Sequence, residues 1–129
     1  MTTIPPFSDK IVLFISSLPM WQQDLIFAFD RTGYELIGDC CSICGRKMNE
    51  NHHIIAGLGK LKFLSPRVSV CGFGNNLPYC HGLLHHHHIH IRWNNEFERY
   101  EYASFKEGVG MDFALIYGKW QELKVKNFD

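Results

Sequence analysis

Two thiols, Cys41 and Cys44, bracket a two-residue spacer in the run CSIC, and Gly45 follows. At this spacing two thiolates can grip one Zn²⁺ if the backbone turns tightly between them, and a glycine relieves crowding where the turn's N–H groups approach the sulfurs. Redox dithiols share the spacing. Two further cysteines, Cys71 and Cys80, complete a set of four, enough to close a tetrahedral structural zinc site. The competing reading is four buried thiols acting as small hydrophobes. Cys40 would join only through a less usual three-residue spacer and reads as a packing residue.

The imidazoles form a second set. His81 and His85 are four residues apart, so on a helix they share a face and can bind one ion together. His52 and His53 are adjacent, and on a strand they point to opposite sides. One of that pair can complete the ion's ligands while the other stays free as a general base, since imidazole titrates near neutrality. A one-position slip would substitute His86 for His85, but the spacing favours His85. The rest of the run, His86–His90, alternates with isoleucines at its end and reads as solvent-facing imidazoles on a strand, with extra metal or phosphate contacts as the alternative.

The elements that must position these groups follow from periodicity and punctuation. Residues 1–7 read as a loose terminus because Pro5-Pro6 blocks helix. Residues 8–16 fit either a buried strand or a short helix. Leu18, Trp21, Leu25 and Phe29 form a helical stripe between Pro19 and Gly33 and read as core. Short strands are expected over Tyr34–Ile37, His53–Ile55 and Val68–Val70, with a Gly/Lys-rich loop over Gly57–Lys62. A glycine-rich loop (CGFGNNLPYC) leads into a helix starting near Cys80 or His81. His88–Trp93 and Phe97–Ala103 alternate and read as a hairpin turning at Asn94-Asn95. Phe113, Ile116, Trp120 and Leu123 read as a second amphipathic helix with a core-facing stripe.

The run CSICGRKMNENHHIIAG together with VSVCGFGNNLPYCHGLLH resembles the HNH endonuclease family in its zinc-stabilised form, over about residues 40–86. The resemblance implies an α+β fold: a small ββα-metal, treble-clef zinc core over 40–90, an N-terminal helical extension over 1–39, and a hairpin plus C-terminal helix over 91–129. It implies His53 as the base that activates water. It also implies His52, His81 and His85 as ligands of one catalytic divalent ion (Mg²⁺, Mn²⁺, Ni²⁺ or Zn²⁺), and Cys41, Cys44, Cys71 and Cys80 as ligands of structural Zn²⁺. The family's central asparagine departs from pattern. The stretch SPRVSVC contains none, so Asn76 in the inserted loop is taken for the role, with Asn75 beside it. Small stand-alone proteins of this kind resemble those of phages, which implies a place in packaging, homing or restriction.

Composition sets the partners. The chain has 129 residues, 13 basic and 13 acidic, for a net charge of zero, and a hydrophobic content of 46 % that excludes a disordered chain. All five cysteines and all eight histidines lie between Cys40 and His90. Residues 40–95 carry six basic groups and one acidic, a net of +5, between flanks of −3 and −2. Lys60, Lys62 and Arg67 are the candidate contacts to the backbone of double-stranded DNA. A homodimer or a packaging or processing partner protein would suit cutting of both strands. No stretch of 18 apolar residues occurs, so no membrane span is expected, and a cytoplasmic location, that of the host if the protein is viral, is the simplest expectation. Two other functions compete: a non-catalytic treble-clef module binding nucleic acid or protein, and a His-rich metal-handling protein.

Overall fold

The computed structural model describes residues 7–128, so the terminus expected over 1–7 falls, but for Phe7, outside the described residues. The fold is mixed α+β, with two small sheets and short helices. The ambiguous segment is a helix, α1 (Asp9–Ser16), because Ser8 caps it by accepting a hydrogen bond from the Ile11 N–H at 3.3 Å. Helix α2 (Met20–Thr32) starts after Pro19 and ends at Gly33, whose N–H donates to the Phe29 carbonyl at 2.7 Å. Its buried residues are Leu25, Ile26 and Ala28, while Trp21 and Phe29 are only half-buried. The expected stripe is therefore rotated toward Ile26 and Ala28.

Strands β1 (Glu50–His53) and β2 (Arg67–Val70) pair antiparallel, with His52 opposite Val68 and His53 opposite Arg67. A 3-10 turn, Gly59–Leu64, lies in the loop between them. The strand expected over Tyr34–Ile37 reduces to one parallel bridge, Leu36 to Val68. Helix α3 (Cys80–His85) follows the glycine-rich loop, and β3 (Ile89–Asn94) and β4 (Arg99–Ser104) form the second hairpin.

That hairpin turns over residues 95–98 rather than at Asn94-Asn95. The Asn94 side chain explains the wider turn, since its Oδ1 accepts from the N–H groups of Glu96 and Phe97 at 2.9 and 3.1 Å. Phe97, expected in the strand, is 60 % exposed. The C-terminal helix is also shorter than its periodicity suggested. Helix α4 (Met111–Tyr117) stops at Gly118, and the chain then extends into β5 (Gln121–Glu122) beside β4. Phe113 and Ile116 are exposed, Trp120 lies 4.3 Å beneath the Arg92 guanidinium, and only Leu123 of the four is buried.

One core unites these pieces. Leu25 and Ile26 of α2 pack with Ile89, Ile91 and Trp93 of β3, Tyr100 of β4 and Val68 and Val70 of β2. Cys41, Cys71 and Cys80 belong to the same cluster, so the thiols are built into the core rather than appended to it. Glu101 is a buried exception. Burial alone would raise its pKa, but hydrogen bonds from Asn94, Arg92 and Arg99 outweigh that and hold its carboxyl below the usual range. No helix among the described residues is long and apolar enough to cross a membrane.

Candidate metal centres

Four sulfurs converge. The Sγ atoms of Cys41, Cys44, Cys71 and Cys80 all lie within 4.8 Å of one another, and Cys44 Sγ is 3.6 Å from Cys71 Sγ. Tetrahedral ligation at the usual Zn–S bond length sets neighbouring sulfurs about 3.8 Å apart, so the spacing fits a shared ion. The local backbone makes this knuckle. Cys41 N–H donates to Arg46 O at 2.6 Å and Gly45 N–H to Cys41 O at 2.9 Å, while Gly45 takes φ +83°, a conformation that an L side chain resists. Cys44 N–H points at Cys41 Sγ (3.5 Å) and Cys80 N–H at Cys71 Sγ (3.4 Å). Cys40, buried but outside the set, is the packing residue expected.

A cation would relieve the electrostatics of this set. A hydrogen bond from the Cys80 thiol draws Cys41 down to about 4, and the same bond, burial and the neighbouring sulfurs push Cys80 up. Burial also raises Cys71. One sulfur can carry charge among its neighbours; four can do so only around a positive ion.

Three imidazoles converge on a second point. His52 Nδ1 is 3.1 Å from His81 Nε2, and His85 Nε2 is 3.2 Å from His81 Nε2. A tetrahedral ion at the usual Zn–N bond length places two ligand nitrogens about 3.3 Å apart, so this set too fits one ion. His85, not His86, shares the group. Burial, then the neighbouring rings of His81, His85 and His53, pull His52 down to about 4. Burial and His81 lower His85 likewise. Neutral rings with free lone pairs are what a cation requires.

The two centres are joined through the backbone. Cys80 and His81 are consecutive, and His81 N–H donates to Cys71 O at 3.0 Å. Gly82 follows, and a Cβ there would run into the Asn76 carbonyl, so the inserted loop lies flush on α3 only because position 82 has no side chain.

Sequence reasoning missed Glu50. Its Oε1 is 3.3 Å from His81 Nδ1 and accepts from Gly74 N–H at 2.7 Å, though His81 Nδ1 has no aligned hydrogen bond. Carboxylates in this position orient a ligating imidazole and raise its basicity. Glu50 was the single acidic residue of the basic block, two residues before His52 and hence on the same strand face.

His53 is turned the other way. It faces a groove of about 270 Å³ lined by Phe29, Glu35, Phe63, Ser65 and Arg67, and its Nδ1 is buried without a partner. The triad of His52, His81 and His85 instead borders a cavity of about 710 Å³, to which His52 and His85 contribute along with Trp21, Gln22, His87 and His90. Trp21 is thus a cavity wall as well as a packing residue. Asn76 is exposed in the inserted loop and lines neither space.

Among the expected backbone contacts, Lys60 and Lys62 are exposed on the 3-10 turn. Arg67 is committed to Glu35, donating from Nε at 2.9 Å and Nη2 at 3.0 Å. The His86–His90 run is not uniformly solvent-facing. His90 is buried and donates from Nε2 to Val109 O at 2.6 Å, and His88 is half-buried with Nδ1 3.2 Å from Phe105 O, while His86 and His87 are exposed.

A cluster of four cysteines and a cluster of three histidines, each able to hold a metal ion, are thus the chemical features of the fold. Neither a protein-family model nor a curated protein nor a solved structure matches the chain.

Proposed function

We propose that the protein is a metal-dependent endonuclease of HNH type, built on a ββα-metal, treble-clef core and hydrolysing phosphodiester bonds of DNA. The observation that carries the reading is the three-histidine cluster beside a broad cavity: it offers three imidazole ligands from β1 and α3, with room beside them, and stands next to a four-cysteine set. Closed sets serve structure, and sets of three with an open position serve catalysis. The order β1, β2, α3, with ligands on the first strand and the helix, supports the same core.

In this reading His52, His81 and His85 hold the divalent ion, and Glu50 fixes the ring of His81. A bound divalent ion supplies Lewis-acid stabilisation to the phosphate's developing charge and to the leaving 3′-oxygen. His53 accepts the proton of the attacking water. His52 and His53 point to opposite faces of β1, so a diester that engages both must lie at the strand's end. Lys60 and Lys62, with no ion pair among the described residues, attract the strand.

Nicking of supercoiled plasmid tests this. Wild type should nick on addition of Mg²⁺, Mn²⁺, Ni²⁺ or Zn²⁺, and His53→Ala should lose at least roughly a hundredfold in rate, the usual contribution of a general base. Equal rates for the two would remove His53 from the mechanism; no nicking with any ion would remove the nuclease. The second reading, a non-catalytic module binding nucleic acid or protein, is favoured by one observation: Asn76 lies outside the groove of His53, leaving that ring without an amide to orient it.

A further inference from the structure

The glycine-rich insertion between Cys71 and Cys80 is not used by either centre, yet it presents three large apolar side chains to water. Phe73 is 62 % exposed, Leu77 51 % and Tyr79 44 %. Exposed apolar groups clustered on one short loop mark a contact surface.

The loop is held in place along its length. Gly72 N–H donates to Asn49 Oδ1 at 3.0 Å and Gly74 N–H to Glu50 Oε1 at 2.7 Å. His86 Nε2 donates to Asn75 O at 3.2 Å, and the Asn76 carbonyl rests on Gly82 of α3. Glu50 lies 3.3 Å from His81 Nδ1 and α3 carries His81 and His85, so the loop is registered to the three-histidine centre through short connections.

Glu50 is the acid bound to the loop at Gly74, and cations gather on the adjoining cysteine knuckle. The Arg46 guanidinium lies 5.9 Å from the Tyr79 ring centroid, Lys47 follows it, and Lys126 donates to Ile43 O of the same knuckle at 3.0 Å. Among the described residues none of these three cations forms an ion pair. An apolar tip with unpaired cations on the adjoining knuckle is complementary to a duplex, whose base steps accept apolar wedges and whose phosphates accept Lys and Arg. A protein surface would match the tip alone.

We propose that the 72–79 loop is a DNA wedge: Phe73 and Leu77 enter a base step and unstack it, while Arg46, Lys47 and Lys126 lie on flanking phosphates. The choice of DNA as occupant rests on the phosphodiesterase reading above. The insertion holds the duplex against the protein at a fixed place relative to the three-histidine centre.

The test uses the full chain with zinc bound and no second ion added, mixed with short duplexes carrying 2-aminopurine at successive positions. Wild type should bind and raise the fluorescence at one or more positions, the signature of unstacking. Phe73→Ala and Leu77→Ala, both at exposed positions and checked by unchanged zinc content, should lose the rise and weaken binding roughly tenfold each. Absence of binding, binding without a rise, or variants equal to wild type would each overturn the wedge. Hydrolysis of bis(para-nitrophenyl) phosphate, too small to span loop and metal centre, reads the other proposal separately. Turnover without a fluorescence rise sinks the wedge alone, and a rise without turnover sinks the hydrolase alone.

Discussion

The four-cysteine and three-histidine centres are neighbours in sequence and share α3, yet they differ in burial. Three of the four thiols are core residues, and backbone N–H groups point at two of the sulfurs. The histidine set is graded instead: His81 is buried, His52 half-buried and His85 exposed, at the edge of a cavity. The cysteine set leaves only Cys44 exposed, while the histidine set opens on a cavity through His52 and His85. The difference teaches that ligand number and burial together suit a set of four to a structural role and a set of three beside a cavity to meeting a substrate.

The largest effect should come from breaking the closed centre. Structural zinc contributes on the order of 10 kcal/mol, comparable to the whole stability of a domain this size. Cys41→Ser should therefore abolish cooperative folding, read by the loss of a thermal transition and of bound zinc together. A Cys41→Ser protein that melts like wild type would mean that the thiols are only packing.

A loss of stability with no metal signature sharpens the contrast. Glu101 is buried between Arg92 and Arg99, with contacts of 2.8 Å to each. Glu101→Gln leaves two guanidinium groups facing an uncharged partner and should cost about 3 kcal/mol. Denaturant melts should show this with metal content unchanged.

The open centre should yield to a gentler change. Glu50→Gln removes the carboxylate beside His81 and should weaken ion binding there by about 10- to 100-fold. Zinc at the cysteines should hold, since Glu50 touches none of them in the contacts observed. Titration of the second ion by calorimetry measures both.

The smallest effect belongs to the His53 face. Hydrogen bonds from Arg67 hold Glu35 below the usual carboxylate range against the opposing effect of burial. A depressed folded-state pKa adds stability that is present above the unfolded value of about 4.3 and is lost as pH falls through the folded one. With Arg67 43 % exposed at its side chain, the contribution stays under about 1 kcal/mol. Glu35→Gln should be slightly less stable than wild type at neutral pH, and the gap should close on acidification.

Much of both centres was legible because metal-ligand spacing is written locally: C-x2-C, His at four residues, adjacent His on a strand. What escaped depends on contacts that local pattern does not record. Glu35 and Arg67 are 32 residues apart, and nothing in either neighbourhood announces the pair. Which of His52 and His53 joins His81 and His85 was open by periodicity alone; the pairing of β1 with β2 and the packing of α3 decide it. The apolar period of the last helix continued by coincidence past Gly118, where Leu123 reaches the core from an extended segment instead. Trp21 fitted a helical stripe, but a stripe names a face without saying whether core or cavity lies against it.

The most direct test of the two-centre account is metal content per chain, before and after mild chelation, with plasmid nicking read on the same samples. The account predicts two ions before chelation and one zinc after it, with fold retained, nicking lost, and nicking restored by adding back a divalent ion. His85→Ala should hold the single zinc throughout and never nick. Both ions leaving together, or nicking that persists with zinc at the cysteines alone, would contradict it.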